Sequence, residues 1–148
     1  MKSSSFRSLC AAVALTAGGL VQADNSVEVG SYTVHYNAFT SDFLPPAMAR
    51  NYEITRSGNR GVLNVSVIKK AEGTTGQSVT AQVLAGGARL TGQHFDIPMR
   101  EIKDGDAIYY LGDFGVVEGE NVKLKVEVTP PGEKQPYLIQ FNQEFFPR

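Results

Sequence analysis

Val122-Lys123-Leu124-Lys125-Val126-Glu127-Val128-Thr129 alternates apolar and polar residues without exception. A period of two puts the four aliphatic side chains on one face of an extended strand and the four polar ones on the other, so one face meets a core and the other meets water. Leu63, Val65 and Val67 repeat the pattern, as do Val79, Ala81 and Val83, then Tyr137, Ile139 and Phe141. Eight strands follow, over about residues 26–37, 52–57, 61–70, 78–85, 88–97, 106–117, 121–129 and 136–146. Ser57-Gly58-Asn59 and Gly86-Gly87 are read as positive-φ hairpin turns, Glu118-Gly119-Glu120 as the next link, and Pro130-Pro131-Gly132 as a strand stop. Hairpins impose antiparallel pairing. Seven to eight such strands in one unit predict an all-β fold, an immunoglobulin-like antiparallel β-sandwich, with a closed barrel as the other packing.

The 148 residues do not all belong to that sandwich. Residues 1–23 carry Lys2 and Arg7, the short apolar run Leu9–Leu20 and the small-residue site Val21-Gln22-Ala23, with no acid among them. That is the pattern of a cleavable signal peptide, and it leaves residues 24–148 as a single domain. Two of the 14 basic residues leave with the leader and none of the 15 acidic ones, so the mature chain has a formal net charge of −3. Nucleic acid is therefore not an expected partner. The leader's apolar run is too short to span a bilayer, and nothing later approaches the required length. The one cysteine, Cys10, lies in the leader, so the mature chain has no thiolate nucleophile, disulfide or cysteine-ligated metal. An exported domain without cystines points to a bacterial periplasm. Asn64-Val65-Ser66 fits a glycosylation sequon but falls in mid-strand.

Three segments, Tyr32-Thr33-Val34-His35-Tyr36-Asn37-Ala38-Phe39, Arg56-Ser57-Gly58-Asn59-Arg60-Gly61 and Gly105-Asp106-Ala107-Ile108-Tyr109-Tyr110, resemble a bacterial family known as domain of unknown function 4426. The resemblance runs over nearly the whole mature chain. It implies a small periplasmic β-domain and carries over no activity, ligand or catalytic residue.

The stretch 38–51 breaks the hairpin rhythm and mixes polar residues with Phe39, Phe43, Leu44 and Met48. Pro45-Pro46 suits the opening of one helical turn through Ala47-Met48-Ala49. Two readings are open: an apolar loop presented to a ligand or partner, or a lid over the core. The lid is the stronger reading, because four large apolar groups in water favour aggregation. His35 and Asn37 fall on the face opposite Tyr32, Val34 and Tyr36, and Arg50, Arg56 and Arg60 follow closely. Arginine forks and a histidine suit a carboxylate or phosphate, although three arginines around a polar turn more often form a solvated rim. The tentative ligand or partner surface is thus His35, Asn37, Phe39, Phe43, Met48, Arg50, Arg56 and Arg60. A metal is not expected; the weak alternative uses His35 with His94 and Asp96, which share a strand face. Asp104-Gly105-Asp106 reads as a turn, since the other ligands of a calcium loop are missing. Tyr109-Tyr110 sends one ring to the core and the other outward.

No nucleophile elbow, P-loop or dinucleotide fingerprint occurs, and no cofactor is called for. The expected role is a non-catalytic periplasmic binding or interaction module. Its partner is an unidentified envelope protein or a small ligand, and the alternative is a small-ligand or metal-binding protein. Oligomeric state stays open: strand edges are either guarded by Lys123, Lys125 and prolines or used for dimerisation.

Overall fold

The computed structural model describes residues 25–148, so the leader, its cleavage site and Cys10 lie outside the described residues. The alternating run is strand β9, Glu120–Thr129, and Val122, Leu124, Val126 and Val128 are each 0% exposed. Burying such side chains stabilises by about 1.5–3 kcal/mol each, which is why this strand has one permitted register. It lies inside a four-stranded antiparallel sheet, sheet B, in the order β10 (Tyr137–Phe145), β9, β5 (Gln82–Arg89), β6 (His94–Ile97).

Sheet A faces it and runs β1 (Asn25–Val29), β2 (Tyr32–Thr40), β3 (Arg60–Lys69), β8 (Ala107–Gly115), β7 (Arg100–Asp104), with the two-residue β4 (Gln77–Ser78) also on β3. Every strand pair is antiparallel. Val34, Leu63, Val65 and Val67 of sheet A meet the β9 column in one core, with Tyr110, Phe114, Ile139 and Phe145 around them. Among the described residues no strand pairs across the sheets, so the fold is the expected two-sheet sandwich and not a closed barrel.

Among the described residues ten strands replace the expected eight, and the main differences have local causes. The reading of one strand over 26–37 is corrected to a hairpin turning at Gly30-Ser31, where Gly30 has φ +59 and Val29 pairs with Tyr32. The apolar phase shifts there from odd (Val27, Val29) to even (Tyr32, Val34). Residues 52–57 are not a strand but the exit of a helix. β7 was not anticipated; it turns into β8 at Asp104-Gly105-Asp106. Gly86 and Gly87 are not a turn either: β5 runs straight through them and turns at 90–93. Neither they nor Gly58 has a positive φ. Their missing side chains admit β6, since a Cβ on Gly87 would sit 2.4 Å from the Phe95 ring and one on Gly86 2.8 Å from the Phe95 carbonyl oxygen.

Where β6 leaves sheet B for β7, Pro98 and Met99 cross the edge of the sandwich against Gly112. A Cβ there would meet the Pro98 carbonyl oxygen at 2.8 Å and Ile97 Cγ2 at 2.5 Å. We expect Gly112→Ala to destabilise by about 1–3 kcal/mol in urea unfolding, because main chain cannot swing aside as a side-chain tip can. Gly115→Ala, which meets nothing within 4 Å, should stay within about 0.5 kcal/mol. Equal effects would refute the crossover explanation.

The link from β8 to β9 is tied by Arg89, whose guanidinium donates to Glu120 and to the Gly115 carbonyl oxygen (2.8 Å) while lying over the Phe95 ring. Glu120 also accepts the Val117 N–H at 2.9 Å. Burial alone would raise the Glu120 carboxyl, but the hydrogen bonds from Arg89 and Val117 and the Arg89 charge outweigh it and hold the group below its ordinary 4.5. A pKa lowered on folding contributes stability that is present above the unfolded value and lost as pH falls through the folded one. Glu120→Gln should therefore be less stable than wild type at neutral pH and lose less stability between about pH 5 and about pH 3. Parallel acid-unfolding curves would contradict this.

Candidate functional site

The segment between β2 and β3 folds onto the outer face of sheet A. Phe39, Val62, Leu111, Ile102 and Tyr109 come from β2, β3, β8 and β7, and on them sit Leu44, Ala49, Tyr52 and Ile54 as a second cluster separate from the main core. A 3-10 turn over Ser41–Phe43 leads to α1, Pro46–Asn51, with proline at the first helical position where its missing N–H costs nothing. The helix ends in a Schellman motif: Ile54 N–H reaches the Ala49 carbonyl oxygen (2.9 Å) and Glu53 N–H that of Arg50 (3.2 Å). Such a motif needs a left-handed residue, usually glycine, and here Glu53 takes it with φ +54.

Hydrogen bonds bolt the lid down at both ends. The buried Ser41 Oγ accepts the Ser57 N–H (2.9 Å) and donates to the Thr55 carbonyl oxygen (2.7 Å). Arg100 Nη2 donates to the Tyr52 carbonyl oxygen at 2.6 Å, and Thr40 Oγ1 to that of Phe146 at 3.2 Å. Asp42 Oδ2 accepts the Arg148 N–H at 2.7 Å. Between the helix exit and β7 a cleft of about 470 Å³ opens, walled by Tyr52, Glu53, Arg100, Lys103 and Asp104. Burial, then the neighbouring Asp104 and Tyr109, raises the Tyr52 phenol above its ordinary value.

The structure disperses the residues expected to form one surface. Phe39 lies under the lid and Phe43 is half-buried in it, whereas Met48 (40% exposed) and Arg50 project from α1 into solvent. Arg56 is engaged by the Asp42 carbonyl oxygen at 2.9 Å and Arg60 by the Asp113 carboxylate. Arg56 and Arg60 thus hold loop and strands, and neither they nor Arg50 stand in the walls of the three main clefts among the described residues. His35 and Asn37 do share a neighbourhood. In register, His35 pairs with Ser26 and Ser66, and Asn37 with Asn64, giving a polar ladder beside the lid. Asn64 Oδ1 is buried there with no hydrogen-bond donor among the described residues.

The metal alternative places its ligands on opposite sides of the molecule. Val34 and Tyr36 turn inward, so His35 faces out from sheet A; Phe95 and Ile97 turn inward, so His94 and Asp96 face out from sheet B. Among the described residues no three His, Cys, Asp or Glu side chains gather as a metal site. Sequence reading missed Ser41, Ile54, Arg100, Asn64 and Ser66. The last two were legible as outward positions of a well-marked strand; the others act through a loop geometry that no periodicity announces.

Fold and surface together define a small two-sheet sandwich with one outer face half roofed by a helical lid. The chain belongs to the DUF4426 family, a domain of unknown function whose model matches residues 26–148. A DUF4426 family protein from Pseudomonas aeruginosa is 30% identical, with a TM-score of 0.73 over 86% of this chain and 98% of that one. FetP of uropathogenic Escherichia coli, recombinantly expressed in the periplasm, shares the fold at 12% identity and a TM-score of 0.57, over 84% of this chain and 94% of that one. A copper-bound single-substitution variant of FetP matches at 11% identity with a TM-score of 0.60, over 84% and 96%. No curated protein sequence matches the chain. Among the described residues no helix is long and apolar enough to cross a membrane.

The two sides of the lid should separate on substitution. Leu44→Ala is expected to cost about 2–4 kcal/mol, as for other buried leucines, and Met48→Ser less than about 0.5 kcal/mol. Thermal unfolding of the two variants checks this, and a Met48→Ser loss as large as that of Leu44→Ala would mean the outward face of α1 is structural.

Proposed function

We propose that the protein is a non-catalytic periplasmic binding module, exported by a cleaved leader, whose binding surface is the outer face of sheet A at the margin of the lid. The observation that carries this reading is the fixed presentation of α1. Pinned by Ser41, Arg100 and its Schellman motif, the helix offers Met48 and Arg50 outward on the same face of sheet A that carries the polar ladder of His35, Asn37, Ser66 and Asn64. Because the backbone of the helix is already ordered, binding has only the side-chain freedom of Met48 and Arg50 to restrict. Methionine adapts to apolar partner shapes, arginine reads carboxylates, and both are the residue types that interfaces favour. The periplasmic location is supported by the leader's composition and by a structural neighbour that was expressed in the periplasm. The partner is an envelope protein with a partly acidic, partly apolar surface.

A second reading, small-ligand or metal binding, draws on the copper-bound FetP variant. The donors of this chain do not fit a shared copper centre, since His35 and His94 occupy opposite outer faces. The small-ligand form of the reading would use the polar ladder, where Asn64 Oδ1 lacks a donor among the described residues.

Affinity capture from the envelope with the exported protein distinguishes the two. A partner retained by wild type and lost on Met48→Ser with Arg50→Glu supports the binding module. Recovery unchanged by that pair, together with a small ligand retained in native mass spectra and lost on Asn64→Ala, would replace it with the second reading.

A further inference from the structure

Besides the two-residue β4, the sandwich has four outer strands among the described residues, and three of them are guarded. β6 has four residues, two of them His94 and Asp96, and is followed at once by Pro98. β7 has five residues of which Arg100, Glu101, Lys103 and Asp104 are charged. β1 has five, and its Glu28 is paired with Lys70 at 3.2 Å. Short length, charge and proline are the devices by which sheets avoid pairing with a neighbouring molecule. β10 has none of them. It is nine residues long, Tyr137–Phe145, with Glu144 its single charge and no proline, and among the described residues it pairs only with β9. Lys123 and Lys125, expected from sequence to protect an edge, sit on β9, one strand inside the sheet, and point to its outer face. The same outer face carries Leu138 and Leu84, each 55% exposed, on either side of Glu127 in one cross-strand row.

We propose that β10 is the dimerisation edge of this protein, pairing antiparallel with β10 of a second copy to make one continuous eight-stranded sheet. This rests on a different surface from the lid and is independent of it. Three features favour a second copy over a foreign strand. A two-fold seam consumes both free edges and closes, so a soluble dimer results and not a fibre. The strand is self-compatible: any two-fold near its middle sets the mostly apolar inward side (Tyr137, Ile139, Phe141, Gln143, Phe145) against itself and the outward side (Leu138, Gln140, Asn142, Glu144) likewise. The only charges on the paired strands, the two copies of Glu144, then lie at opposite ends of the seam. Nine paired residues supply roughly nine main-chain hydrogen bonds, close to the complement of a standard protein interface.

The test is sedimentation of the exported protein from low micromolar to near-millimolar concentration, read together with amide exchange. A dimer is expected, with β10 amides becoming protected as concentration rises. Gln140→Lys with Asn142→Lys sets like charges across the seam at exposed positions, and should weaken the dimer by about tenfold or more while leaving the unfolding temperature unchanged at low concentration, where the protein is monomeric. Lys123→Gln with Lys125→Gln should leave it intact. A wild type that stays monomeric throughout, a double-lysine variant that dimerises as well as wild type, or a dimer without added protection in β10 would each overturn the proposal. A monomer whose β10 instead takes up a strand of another protein would do the same.

Discussion

The buried column of β9 is the constraint to which the rest of the molecule answers. With Val122, Leu124, Val126 and Val128 fully removed from water, a slip of one residue would place four aliphatic side chains in solvent and four polar ones in the core. The strand therefore fixes its two neighbours, β5 and β10, over eight and nine residue pairs. Sheet A must then present a matching apolar surface, which Val34, Leu63, Val65 and Val67 provide. Once both sheets are committed, what remains variable is what each outer face carries.

The outer faces diverge. That of sheet B is dressed with Lys123, Lys125 and Glu127, as suits solvent. That of sheet A grows a second cluster around Val62 and Leu111, because the connection from Thr40 to Arg60 has nowhere else to bury Leu44, Ala49 and Ile54. The 38–51 stretch is thus a lid, but one that roofs the outward face of sheet A and not the core between the sheets.

The strands whose alternation is unbroken, β3, β9 and β10, were legible from sequence, and with them the sandwich. Failures came where a residue does a different job from its usual one. Gly86 and Gly87 stay extended so that the Phe95 main chain and ring can approach, and Glu53 takes the left-handed position that glycine normally marks. Periodicity cannot see either choice, because both depend on an element distant in space or on a hydrogen bond closing a helix end. The same holds for the candidate surface. Pro46 announced the helix and the strand phase placed His35 and Asn37 outward, but only the fold shows that Arg56 and Arg60 are taken up by Asp42 and Asp113.

One pair of contacts bears on how the molecule comes together. Thr40 Oγ1 reaches the Phe146 carbonyl oxygen and Asp42 Oδ2 accepts the Arg148 N–H, both across 106 residues of chain. Closing so long a loop is entropically among the later and slower steps of folding. The lid lies next to the start of that loop in sequence, and beside its ties to Thr55, Ser57 and Arg100 it is also held by the chain's last residues. Those two ties join the roof over sheet A to the residues that follow β10, so the entry of the lid and the exit from the free edge of sheet B are held together.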